Sequence, residues 1–220
     1  MIDLPTESQK NLDLNRIDFG VKICFDWVTN QVPDVNIIVA EWADMTFRFS
    51  KSKFSGFEYM VTSEELVELP TREEKYCLIT IGATVDQKTI KFVQRKLTSF
   101  YNRQILIVNS NNLVNLTDKT VLEKNLTRQR YLKLLSEAEL VISNGGTTLA
   151  ECLLLKKQTI VVPKNKYEFN FSLILEKHYP ILDIWQNETN FNIIKLSSDK
   201  QIKLDCFGVH RVGEIIEQYI

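Results

Sequence analysis

From Tyr76 onward the sequence predicts an α/β fold built on a doubly wound parallel sheet, and three observations carry that prediction. Short apolar, β-branched runs alternate with amphipathic segments of helical period. Two of the runs end in glycine turns, Gly82-Ala83 and Gly145-Gly146, as strands that feed helices do. The chain of 220 residues is 44% hydrophobic and 25% charged, which suits a packed domain in water.

Taken in order, residues 1–15 are polar and acidic and read as a leader, disordered or loosely docked. Val21 to Phe25 and Asn36 to Ala40 read as strands, with a turn region around Gln31-Val32-Pro33-Asp34 between them. Glu41 to Lys53 is irregular, Ser55 to Tyr59 reads as a loop, and Ser63 to Leu69 as a short helix capped by Ser63. A charged linker, Arg72 to Lys75, precedes the regular part. Tyr76 to Ile81 is a strand. Lys88 to Phe100 is a helix with Ile90, Val93, Leu97 and Phe100 at helical spacing. Gln104 to Val108 is a strand, Asn109 to Asn125 mixed loop and short strand, and Arg128 to Ala138 a helix with Tyr131, Leu132 and Leu135 inward. Leu140-Val141-Ile142 and Thr159 to Val162 are strands flanking a helix that opens at Thr147-Thr148. A helix from Phe169 to His178, stopped by Pro180, and another from Val209 to Tyr219 complete the chain.

Composition excludes several classes of function. Twenty-seven basic and 28 acidic residues leave a net charge of −1, so there is no overall attraction to nucleic acid or to an anionic membrane. The basic run of Lys119, Lys124, Arg128, Arg130 and Lys133 reads as a solvated face. The four cysteines, Cys24, Cys77, Cys152 and Cys206, are scattered with no CxxC pair, as expected of reduced thiols. No apolar run approaches the roughly 20 residues that span a bilayer, and the start is unlike a secretory signal. The expectation is a cytoplasmic protein. No His, Cys and Asp cluster has metal-ligand spacing.

The most informative stretch is Glu139 to Pro163, a strand, glycine turn, helix and second strand. A strand that ends in glycines and feeds a helix gathers backbone N–H groups and the positive end of a helix dipole at one place, which favours an anion. Gly145 and Gly146 permit close approach of the backbone, and the Thr147 and Thr148 hydroxyls add donors. Glu151 lies five residues past Gly146, about 7 Å along a helix, where a carboxylate can accept from ribose hydroxyls. The alternatives are a turn made for tight packing and a solvated glutamate.

The segment Gly145-Gly146-Thr147-Thr148-Leu149-Ala150-Glu151 resembles the signature by which the carboxyl-terminal, Rossmann-like lobe of GT-B glycosyltransferases holds a nucleotide diphosphate and ribose. CLITIGAT, Cys77 to Thr84, resembles that lobe's opening strand and glycine turn, with Ala83 at the usual second glycine. KYEFNFSLILEKH, Lys166 to His178, resembles the segment that faces the sugar, where Glu168 and Asn170 are the nearest matches and Phe169 stands at the usual Gln. Lys164 and Asn165 fall in a loop at a strand's carboxyl end. Asn125 to Arg128 falls where the family meets the nucleobase, so Leu126 and Arg128 are expected to cover it; a plain helix start capped by Thr127 explains the same residues. In order along the chain, GVKICFDW (20–27), FSGFEYMVTSEEL (54–66), ITIGATVDQKTIKF (79–92) and GVHRVGEII (208–216) resemble the UDP-sugar hydrolase of pseudaminic acid biosynthesis and its spore-coat polysaccharide relatives.

The resemblance implies a leader (1–15), a partial amino-terminal lobe (16–72) and a nucleotide-sugar-binding carboxyl-terminal lobe (73–220). It implies a UDP-sugar as ligand, no cofactor or metal, and substrate contacts from Gly82, Thr84, Leu126, Arg128, Gly145, Gly146, Thr147, Thr148, Glu151, Glu168 and Asn170. Those relatives open on a glycine-rich segment whose histidine is thought to activate water, and this chain has no counterpart. Its two histidines, His178 and His210, lie in stretches that match the carboxyl lobe. The catalytic group is therefore unassigned. Either a partner subunit or a second copy meeting residues 16–60 completes the site, or the chain binds without turnover, or a carboxylate among Asp26, Glu41 and Asp44 acts as base.

Overall fold

The structure, a computed structural model, describes residues 23–25, 37–40, 52–55, 57–67, 69, 75–82, 85–108, 118–186 and 204–218. The chain divides into two compact units, Met1–Ser63 with Leu196–Ile220, and Glu64–Lys195. Thr84, Asp26, Glu41 and Asp44 lie outside the described residues, as does most of the 16–60 stretch expected to meet a partner.

In the first unit β1 (Ile23–Phe25), β2 (Ile37–Ala40) and β3 (Ser52–Ser55) form a parallel sheet in that order. Ile23 stands opposite Ile37, and Ile37 opposite Ser52. The first two strands fall where apolar runs predict them. The third falls at the end of the stretch read as irregular, because Ser-Lys-Phe-Ser has one apolar residue and no run to mark it.

The second unit begins with a 3-10 turn, Glu64–Leu66, closed by Val67 N–H donating to the Glu64 carbonyl at 3.0 Å. The helix expected from Ser63 to Leu69 stops at this turn, and Pro70 leaves no room to extend it. The sheet then builds from β4 (Tyr76–Thr80), α1 (Gln87–Leu97), β5 (Ile105–Val108), β6 (Thr120–Glu123), α2 (Arg128–Glu137), β7 (Ala138–Ser143), α3 (Thr147–Leu154), β8 (Gln158–Val161), α4 (Lys166–Glu176) and β9 (Ile181–Ile184). All six strands are parallel, in the order β6-β5-β4-β7-β8-β9, a Rossmann-like arrangement.

Both faces of this sheet are covered, which is why its strands read as continuous apolar runs. Cys77, Ile79 and Ile81 point to the face packed by Ile90, Val93 and Leu97 of α1. Tyr76 and Leu78 point to the other, packed by Leu134 and Leu135 of α2 and Cys152 of α3. A register shift lets Tyr76 face Ala138 while Cys77 faces Leu140. The extra residue, Glu139, turns Ala138 to the Tyr76 face although Leu140 lies on the opposite one.

Helix α1 starts one residue earlier than the periodicity predicts, capped by the Asp86 carboxylate, which accepts from Thr89 N–H at 2.7 Å. It also ends early. The hydroxyls of Thr98 and Ser99 donate to the carbonyls of Arg95 and Lys96 at 2.8 and 2.7 Å, which draws those carbonyls out of the helical pattern. Phe100 is thereby 58% exposed and meets Trp185 edge-on. Strand β9 has no counterpart in the sequence reading: its four residues follow Pro180, alternate poorly, and leave Leu182 exposed at the sheet edge. Among the described residues, no helix is long and apolar enough to cross a membrane.

The sequence groups 208–216 with the carboxyl-terminal lobe; the structure places α5 (Gly208–Glu217) in the first unit. There Arg211 forks onto Asp205 with two contacts of 2.7 Å and donates to the Glu58 carbonyl at 2.7 Å. Gly208 lies against the Met60 backbone so closely that a Cβ would collide with the Met60 carbonyl oxygen. Gly213 of the same helix has nothing within 4 Å of a Cβ position. Gly208→Ala should therefore cost about 1–3 kcal/mol by overpacking, whereas Gly213→Ala should gain up to about 1 kcal/mol from helix propensity. Thermal unfolding followed by circular dichroism checks both; equal melting temperatures would contradict the close approach.

Candidate functional site

The chain runs outward from β4 to β5 and β6, then returns through α2 to β7 on the other side of β4. The reversal puts the switch point of the sheet at β4 and β7, and open parallel sheets take their ligands at the carboxyl ends of strands beside such a point. Both glycine turns stand there. Gly82, just past β4, has φ +76, a conformation glycine adopts without strain, and a Cβ on it would lie 3.3 Å from Lys164 Nζ. The Lys164 ammonium thus lies over the first turn, as its place after β8 allows.

The second turn, after β7, separates the roles of its two glycines. Gly145 is buried under α4: a Cβ there would collide with the Glu168 carbonyl oxygen and lie 2.7 Å from Ser172 Oγ. Its missing side chain is required by packing. Gly146 is half-buried, the N-cap of α3, with 3.4 Å between a Cβ position and Asn144 Nδ2. A glycine offers no side-chain acceptor, so the first-turn N–H groups of α3 carry no side-chain cap.

Glu168 and Asn170 are engaged within the protein. Asn165 caps α4 by accepting from Glu168 N–H at 2.9 Å. The Glu168 carboxylate accepts from Lys164 N–H at 2.6 Å with one oxygen and from Asn144 Nδ2 at 2.8 Å with the other. It thereby ties the turn after β7 to the loop after β8. Asn170 is buried and donates to the Lys166 carbonyl at 2.6 Å. His178 and His210 are exposed on the surface.

Five of the sequence-derived site residues come together instead around a cavity of about 600 Å³, lined by Leu126, Arg128, Thr147, Thr148 and Glu151 with Val108, Glu123, Asn125, Thr127 and Tyr131. Its volume is that of a small-molecule site. The residues arrive from four places: the ends of β5 and β6, the loop before α2, the first turn of α2, and one face of α3. Asn125 takes the left-handed conformation, φ +51, that turns the chain from β6 toward α2. Thr127 caps α2 by accepting from Arg130 N–H at 3.2 Å. Glu151 stands four residues after Thr147, hence one turn down the same helix face.

At the floor of the cavity Glu151 is 4% exposed. Arg128 Nη2 meets one of its oxygens at 2.5 Å, and Tyr131 Oη donates to the other at 3.2 Å. The Arg128 guanidinium also lies 5.4 Å from the Tyr131 ring centre. Burial, then the neighbouring Cys152 and Glu151, push the Tyr131 phenol well above its usual range, so it stays a neutral donor. A carboxylate has about four lone-pair directions, so Glu151 retains capacity for a ligand's hydroxyls. Tyr131, whose helical spacing marks it as a core residue, also lines this site. Its spacing three after Arg128 and its position facing α3 place its hydroxyl, not only its ring, at the site.

The described residues contain no group of three His, Cys, Asp or Glu that could hold a metal ion. No protein-family model matches the chain, and no curated protein matches it.

The two glycines should respond differently to a methyl group. Gly145→Ala should lower the melting temperature markedly, by about 1–3 kcal/mol of stability, because the Glu168 backbone must move. Gly146→Ala should cost less, about 0.5–1 kcal/mol, the difference between glycine and alanine at an N-cap. Denaturant unfolding of both variants checks this, and comparable loss at Gly146 would contradict the assignment of roles.

Proposed function

We propose that this chain binds a nucleoside-diphosphate sugar, a UDP-sugar by the resemblance noted above, and acts in glycosyl transfer or UDP-sugar hydrolysis for surface polysaccharide or nonulosonic acid synthesis. The observation that carries the reading is one cavity with an uncapped helix N-terminus at one end and a buried carboxylate one turn below it. Phosphate oxygens fit the first-turn N–H groups and the Thr147 and Thr148 hydroxyls. Ribose hydroxyls fit the free lone pairs of Glu151, and Leu126 with the loop before α2 offers an apolar wall to a base. Lys164, over Gly82, supplies a cation at the neighbouring strand end. These are contacts for binding. Neither histidine lines the cavity, which favours, as the second reading, a nucleotide-sugar-binding subunit that obtains its catalytic group from a partner chain.

Calorimetric titration with UDP and UDP-N-acetylhexosamines tests the ligand, and chromatography of the products tests turnover. Wild-type protein should bind UDP, and Glu151→Ala should weaken it about tenfold, as loss of hydrogen bonds to a charged acceptor does. Release of UDP assigns transfer or hydrolysis at the sugar, release of sugar phosphate assigns cleavage at the nucleotide, and binding alone assigns the subunit. No binding of UDP, or equal binding by Glu151→Ala, would overturn the reading.

A further inference from the structure

Helix α2 breaks a local rule at its first turn. Cations are disfavoured at a helix N-terminus, where the dipole is positive, yet this turn has no acidic residue and begins Arg128-Gln129-Arg130. Each guanidinium instead meets a carboxylate that lines the cavity. Arg128 holds Glu151 at 2.5 Å, and Arg130 Nη2 holds Glu123 at 2.8 Å. Violations of this kind concentrate at functional sites.

The pairing solves a charge problem that the cavity sets for itself. Glu151 lies one turn, about 6 Å, below the first-turn N–H groups of α3. A buried anion at that range opposes a second anion bound at the helix end. The Tyr131 hydroxyl satisfies a lone pair but carries no charge. Only a cation in contact with the carboxylate cancels its field, and Arg128 is that cation.

We propose that the first turn of α2 is a counter-charge device, in which Arg128, seconded by Arg130, neutralises the carboxylates of the cavity and so sets its preference for ligands bearing two phosphates over ligands bearing one. This rests on the nucleotide reading of the same cavity. Arg128 acts here through Glu151, without gripping phosphate itself, and is a positioning and specificity residue. Its side chain is 42% exposed, so solvent moderates the effect.

The test compares dissociation constants for UDP and UMP at low ionic strength in wild type, Arg128→Gln, Arg128→Lys, Glu151→Gln and the double variant Arg128→Gln/Glu151→Gln. With one uncompensated charge near the phosphates, Arg128→Gln should weaken UDP about tenfold and UMP about threefold. Arg128→Lys, which keeps the charge, should stay within about threefold of wild type for UDP. The double variant, whose pair is neutral like that of the wild type, should recover a UDP-over-UMP preference within about twofold of wild type. Equal losses for UDP and UMP in Arg128→Gln, or a double variant whose UDP-over-UMP preference stays as low as that of Arg128→Gln, would overturn the proposal, the latter assigning Arg128 to direct phosphate contact. Glu151→Gln alone decides the matter if Arg128→Gln does not fold. It leaves the arginine charge uncompensated and should raise the UDP-over-UMP preference about threefold, and an unchanged or smaller preference overturns the inference. Wild-type protein that fails to bind UDP removes the nucleotide reading and this inference together; binding with unaltered preferences removes the inference alone.

Discussion

Helix α4 lies on the turn after β7 at a distance that only a glycine permits. The Glu168 carbonyl oxygen occupies the space a Gly145 side chain would need, and the Glu168 carboxylate reaches back to Asn144 in the same turn. That contact sets where the turn ends and hence where α3 begins. Because a helix repeats every 3.6 residues, fixing its start fixes the face on which Thr147, Thr148 and Glu151 stand. The cavity therefore inherits its geometry from a packing constraint on its far side.

Within that frame the cavity handles charge by pairing. A carboxylate as buried as Glu151 is tolerated only if hydrogen-bonded and neutralised, and Arg128 and Tyr131 do this from a neighbouring helix. Glu123 and Arg130 repeat the arrangement nearer the surface. The acceptors of the cavity are thus kept in place without leaving an uncompensated negative charge beside the start of α3. Helix α2 accepts an unfavourable pair of cations in its first turn as the consequence, and its stability rests on Thr127 as cap and on the burial of Leu132, Leu134 and Leu135.

The parallel sheet was legible because strands covered on both faces are apolar nearly throughout, as Cys77 to Ile81 is, and because a glycine turn closes that run. The helix start at Thr147 and the glutamate one turn on were equally legible, since cap and period are local. What escaped was set by distant partners. Strands β3 and β9 are polar or short and exist because a neighbour offers hydrogen bonds. Gly145 and Gly146 are identical in sequence and differ only in what lies across from them. Glu168 and Asn170 satisfy the polar atoms of their own loops and helix, which the motif's spacing does not reveal. Tyr131 has the spacing of a core residue, and its hydroxyl enters the site only because Glu151 comes to meet it.

In the proposed binding mode one cavity receives phosphates at the start of α3 and a nucleoside toward the loop before α2. Titration of the isotopically labelled protein with UDP, followed by amide chemical shifts, tests this mode at each residue. The shifts should concentrate at residues 146–148 and 125–131, with the amides at the start of α3 moving downfield as they take up an anion. Shifts confined to other parts of the chain, or none at saturating UDP, would contradict it.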